Sequence, residues 1–92
     1  MSSQHLRVAA VQAAPVFLDR DATVNKALEL IEAAAVNGAE LIVFPEAFVP
    51  GYPVWLWAGR ADLEPEAYVR LCANAVEVPD ATTACLGEAT MV

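Results

Sequence analysis

The sequence predicts an α/β protein built on a βαβ unit, and three observations predict it. Two short apolar runs, residues 6–14 and 41–44, read as strands covered on both faces, because neither shows the clean alternation of a half-exposed strand. Between them lies a stretch whose apolar residues recur at helical spacing. The whole pattern fits within about forty residues, which suits two parallel strands joined by a right-handed helical crossover.

Each element has its own grounds. The first run ends at Pro15, and residues 16–20 form a linker to Asp21, the expected N-cap of the crossover helix. In that helix Val24, Ala27, Leu28, Ile31, Ala34 and Ala35 share one face, and Asn25, Lys26, Glu29 and Glu32 fall mainly on the other. Asn37-Gly38 supplies the left-handed residue that commonly closes a helix, and the second strand follows. A parallel pair needs cover on both faces, yet the sequence holds helices for one face only.

Beyond a loop at residues 45–59, Glu64-Pro65-Glu66 reads as a helix start, and Tyr68, Leu71, Cys72 and Ala75 as its apolar stripe. Residues 76–79 read as briefly extended. Asp80 is the expected cap of a third helix that runs toward Met91-Val92 with no closing glycine or basic last turn, the pattern of an element broken off.

Composition narrows the partners. The chain has 92 residues, of which 58% are hydrophobic counting Tyr and omitting Gly, and slightly more on the set that omits Tyr and adds Gly, for which an ordinary soluble domain has roughly 45–50%. A small domain has proportionally more surface, so the excess points to faces that other chain or a partner subunit covers. Five basic against twelve acidic residues give a net charge of -7 with no Lys/Arg cluster, which argues against nucleic acid or an anionic membrane. The polar start shows no secretory signal and no apolar run approaches spanning length, so a cytoplasmic location is expected. Cys72 and Cys85 match no disulfide framework or zinc spacing.

The chemistry points to Glu46. A carboxylate just past the second strand sits where open α/β sheets place their reactive groups. Phe44, Pro45 and Phe48 around it suggest a desolvated carboxyl suited to general-base work, whereas the plainer reading is a solvated loop glutamate. Pro50-Gly51-Tyr52-Pro53 fixes a sharp turn, with Tyr52 either packed or set against a substrate. Trp55 and Trp57 read first as packing or subunit-contact residues. Both cysteines read as structural, Cys72 as a small hydrophobe on its helix stripe, and His5 and Lys26 as solvated. No phosphate loop, metal cluster or Ser/His/Asp arrangement is visible, so no cofactor is expected.

Residues 38–53 resemble the glutamate signature of the nitrilase superfamily of carbon-nitrogen hydrolases. Residues 8–12 look like that family's first strand and residues 23–31 like its first helix. Phe44-Pro-Glu-Ala-Phe-Val-Pro-Gly-Tyr-Pro-Val-Trp-Leu-Trp57 is most similar to the nitrilase and cyanide-hydrolysing branch, and residues 74–79 also look like nitrilase sequence.

The resemblance implies a four-layer αββα sandwich, of which residues 1–92 would be the N-terminal part of a single domain, incomplete by itself. It further implies nitrile hydrolysis to acid and ammonia by a Glu-Lys-Cys triad, with Glu46 as the base and no cofactor. The lysine and the Cys-Trp-Glu motif come later in family sequences, so no role passes to Lys26, Cys72 or Cys85, and the chain alone is expected to be inactive. The partners implied are a small nitrile and, for the full-length protein, further copies in a homo-oligomer. The rival readings are a structural or interaction protein that keeps the βαβ unit, an amidase-type member of the superfamily, and an enzyme using Cys72 or Cys85.

Overall fold

The computed structural model describes residues 5–53 and 64–90. Strand β1 (Val8–Ala10), helix α1 (Arg20–Val36), strand β2 (Leu41–Val43), helix α2 (Glu64–Ala73) and helix α3 (Ala81–Ala89) follow in order. The two strands pair in parallel with Val8 opposite Leu41, Ala9 opposite Ile42 and Ala10 opposite Val43. The ladder extends by one bond at each end, from Glu40 N–H to Arg7 O at 2.8 Å and from Val11 N–H to Val43 O at 2.8 Å. The βαβ unit is therefore present, with strands shorter than residues 6–14 and 41–44.

The strands are not covered on both faces, which corrects the sequence expectation. Ala9 and Ile42 are half-buried, whereas Val8, Leu41 and Val43 are 50%, 47% and 48% exposed. Side chains alternate across a strand, so the exposed residues mark one bare face. The surface area, 6800 Å², exceeds the about 5200 Å² that a compact monomer of this mass presents. A radius of gyration of 16.0 Å, against about 12 Å for a compact chain of this length, tells the same story. Even on the helix side a cleft of about 670 Å³ remains between α1, β2 and α3, walled by Ile31, Ala35, Ile42, Phe44 and Leu86.

Helix α1 starts two residues earlier than the sequence suggests. Phe17 and Leu18 make a turn in which Leu18 takes a left-handed φ of 56°, after which Asp19 is extended and caps the helix by accepting from Ala22 N–H at 3.0 Å. Asp21 instead lies in the first turn, beside Arg20 at 3.1 Å, where a negative charge favours the positive end of the helix. At the other end Gly38 has the expected positive φ, 89°. Among the described residues the buried core is small: Leu18, Val24, Ala27, Ile31 and Phe48, with the polar Thr23 fully enclosed beside them.

The end of α2 is tied to the start of α1. Arg20 N–H donates to Asn74 Oδ1 at 3.0 Å, the Arg20 guanidinium donates to Ala75 O at 3.3 Å, and Arg70 Nε donates to Leu18 O at 3.2 Å. Cys72 is exposed, so the stripe expected on α2 does not bury it. Ala75 lies beyond the helix end, and Tyr68 and Ala75 are exposed with only Leu71 half-buried.

Asp80 caps α3 as expected, through a capping box in which Asp80 Oδ1 accepts from Thr83 N–H at 2.9 Å and Asp80 N–H donates to Thr83 Oγ1 at 2.9 Å. The second carboxylate oxygen accepts from Glu77 N–H at 3.0 Å, which closes residues 77–80 into a bend. Bonds from the Thr83 and Glu77 amides hold the Asp80 carboxyl below its ordinary value of 3.8. Helix α3 stops at Ala89 with Thr90 as its C-cap, rather than running on toward Met91. It packs on α1.

Candidate functional site

The site grows out of the carboxyl end of β2. The chain leaves Val43, and Phe44 stacks obliquely on Phe48 with ring centroids 5.2 Å apart. Phe48 is buried and Phe44 half-buried. Between these two rings the backbone turns at Glu46 and Ala47, and Ala47 takes a left-handed φ of 55°. A left-handed alanine costs about 1–3 kcal/mol relative to an ordinary conformation, so the turn is held by its surroundings.

Those surroundings come from the segment before α1. Leu18 N–H donates to Pro50 O at 3.0 Å, and the Phe17 ring lies against Gly51, where a Cβ would meet Phe17 Cδ1 at 2.8 Å. Gly51 has φ 145°, a conformation that side-chain-bearing residues avoid, so glycine is required here on two counts. Pro50 and Gly51 are buried as a result. The β2 loop is thus fastened by the turn that precedes α1, and Thr23 of α1 fastens that turn through Val16.

Glu46 projects from this fastened loop and is exposed. Of its two readings the desolvated carboxyl is corrected in favour of the solvated loop glutamate: Phe44 and Phe48 pack on one another and Glu46 stays exposed. Tyr52 lies on the same loop, 43% exposed. Trp55 and Trp57 lie outside the described residues.

The remaining candidates sit elsewhere. Cys72 on α2 and Cys85 on α3 are both exposed free thiols, so Cys72 lacks the buried packing role expected for it. Cys85 borders a cleft of about 440 Å³ with Arg20, Asp21, Val24 and Asp80, and Glu46 is not among its walls. His5 is exposed, as expected. Lys26 is half-buried and donates through Nζ to Ala14 O, which corrects its reading as a purely solvated residue. Its ammonium pins the segment that leaves β1. Among the described residues no three His, Cys, Asp or Glu side chains come together as a metal site, and no helix is long and apolar enough to cross a membrane.

Thr23 is the residue that sequence reasoning missed. It is polar and opens the run 23–31, yet it lies at i-4 from Ala27 and i-8 from Ile31, on the buried stripe itself. That spacing was the available signal.

A parallel βαβ unit with a carboxylate on the loop past the second strand belongs to the α/β class whose reactive groups gather at the carboxyl ends of parallel strands. Residues 7–91 match the family model described as carbon-nitrogen hydrolase. The chain is 58% identical over 73 residues to a nitrilase of Bacillus sp. (strain OxB-1), covering 79% of this chain and 22% of that protein. It is 59% identical over 54 residues to an aliphatic nitrilase of Rhodococcus rhodochrous, covering 59% of this chain and 14% of that one. It is 45% identical over 82 residues to an arylacetonitrilase of Aspergillus oryzae (strain ATCC 42149 / RIB 40), covering 87% and 24%. The chain belongs to the carbon-nitrogen hydrolase family. It spans about a fifth of the length of the curated relatives it matches.

Proposed function

We propose that this chain is the N-terminal part of a nitrilase-type hydrolase that converts a nitrile to a carboxylic acid and ammonia, with Glu46 as general base. The observation that carries the reading is the sequence around Glu46 on a loop at the end of a parallel strand, in a chain whose matched relatives are named nitrilases. Those names favour the nitrilase branch over the amidase branch.

In this reading the thiol of a cysteine downstream of residue 92 loses its proton to Glu46, and the thiolate adds to the nitrile carbon. The proton passes to the nitrile nitrogen to give a thioimidate. Water adds to that carbon, the C–N bond breaks and ammonia leaves, which gives a thioester. A second water, deprotonated by Glu46, releases the carboxylic acid and restores the thiol. A downstream lysine stabilises the charge of each tetrahedral stage. The downstream chain also supplies the remaining layers of an αββα sandwich, which bury Glu46 and the bare face at Val8, Leu41 and Val43.

Two measurements test this. Ammonia release from benzonitrile or a short aliphatic nitrile by the complete enzyme falls about 10²–10⁴-fold in Glu46→Gln, the range of one general base. Retention of wild-type kcat removes Glu46 from the chemistry. The 92-residue chain alone releases no ammonia, and release that Glu46→Gln abolishes would overturn its inactivity.

A further inference from the structure

We propose that Thr23 is a positioning residue for the carboxylate loop, acting through the Leu18 turn on Pro50 and thereby on Glu46; its catalytic meaning rests on the reading of Glu46 as the base. Thr23 is the most enclosed side chain described, at 0% exposure, and it is polar. A helical threonine ordinarily bonds back to a carbonyl of its own helix. Here the hydroxyl leaves the helix and bonds Val16 twice, donating to Val16 O at 2.8 Å and accepting from Val16 N–H at 3.1 Å. Donor and acceptor are both engaged, as a buried hydroxyl demands.

Val16 opens the turn that matters. Its carbonyl also accepts from Asp19 N–H at 3.0 Å, so Thr23 and Asp19 together close residues 16–19 around Phe17 and Leu18. Inside this turn Leu18 is held at φ 56°, a conformation that a leucine keeps only where its surroundings over-determine it. In that conformation both Leu18 backbone groups point outward to other segments: its N–H donates to Pro50 O at 3.0 Å, and its carbonyl accepts from Arg70 Nε at 3.2 Å. Phe17 meanwhile backs Gly51. The carboxylate loop therefore has two fixed points, the Phe44–Phe48 ring pair and the Pro50–Gly51 contact. Glu46 lies within the first of these, on the turn between Phe44 and Phe48, with no buried side chain of its own. A shift of the Leu18 turn moves the second fixed point, two residues past Phe48, and through Phe48 the turn that carries Glu46.

The test replaces Thr23 by valine, which keeps the volume and removes both bonds, and by serine, which keeps the hydroxyl. Amide exchange and amide shifts are read residue by residue by NMR on the 92-residue protein. In Thr23→Val, exchange of the Leu18 amide rises by about fivefold or more, the factor for one lost hydrogen bond. The Glu46, Ala47 and Gly51 amide shifts move, and the Ala27 to Ile31 amides of α1 stay within about twofold of wild type, a change too small to count as a lost bond. Thr23→Ser restores the wild-type pattern. A merely structural role would loosen α1 as a whole, so a uniform rise along α1 overturns the proposal. So does an unchanged Leu18 amide in Thr23→Val, or a Leu18 amide unprotected in the wild type. These outcomes stand whether or not Glu46 is a base, which the Glu46→Gln measurement on the complete enzyme decides separately.

Discussion

Replacing Gly51 by alanine strikes the contact that seats the carboxylate loop, and its cost has two separable parts. The backbone there has φ 145°, which costs a residue with a Cβ about 1–3 kcal/mol. The new Cβ also falls 2.8 Å from Phe17 Cδ1 and 3.1 Å from Cε1, both inside contact distance. Overpacking of that kind adds about 1–3 kcal/mol. The sum is at least about 2 kcal/mol, and a domain of this size loses roughly 4–8 °C in Tm per kcal/mol, so the melting point falls by about 8 °C or more. Thermal unfolding followed by far-UV circular dichroism measures it. In a Phe17→Ala background the clash is gone and only the backbone part remains, so Gly51→Ala costs about 1–3 kcal/mol less there. A shift under about 2 °C, or an equal cost in both backgrounds, refutes the reasoning.

Two further predictions concern helices α2 and α3. The Asp80 carboxyl is held low by the Thr83 and Glu77 amides, so its contribution to stability is present above the ordinary value of 3.8 and is lost as pH falls below that value through the lowered one. Asparagine caps nearly as well without titrating, so Asp80→Asn flattens the acid limb of stability against pH, and an unchanged limb in urea unfolding counts against the capping box. Cys72 and Cys85 are both exposed, so a thiol reagent labels both in the native protein without denaturant; one or no label contradicts the exposure.

The sequence made the scaffold legible where the signal was local. Gly38 after Asn37 announced the end of α1, and its φ of 89° is the conformation that only glycine adopts freely. Asp80 announced the start of α3, because an N-cap bond reaches only three residues along the chain. The start of α1 was misread for the opposite reason. Asp19 and Asp21 are equally good caps in isolation, and the choice between them was made by the left-handed Leu18, which Pro50 and Arg70 hold from more than thirty residues away.

The candidate site divides in the same way. Residue type and spacing were sufficient to place Glu46 and Tyr52 on a loop past a buried-type strand, since a short apolar run ending in Pro and Gly is a one-dimensional signal. Burial was not legible, because it depends on what covers a surface. Glu46, which the sequence allows to be either desolvated or solvated, is exposed, Cys72 leaves its expected apolar stripe uncovered, and Thr23, a polar residue, is fully enclosed.

By itself, then, the sequence determined the βαβ order, the helix caps set by near neighbours and the loop that carries the carboxylate, all of which depend on residues within one or two turns of each other. Tertiary structure alone decided that the turn before α1 grips the loop after β2, through Leu18 and Pro50, Phe17 and Gly51, and the hydroxyl of Thr23. Such contacts join segments far apart in the chain, and no local propensity encodes them.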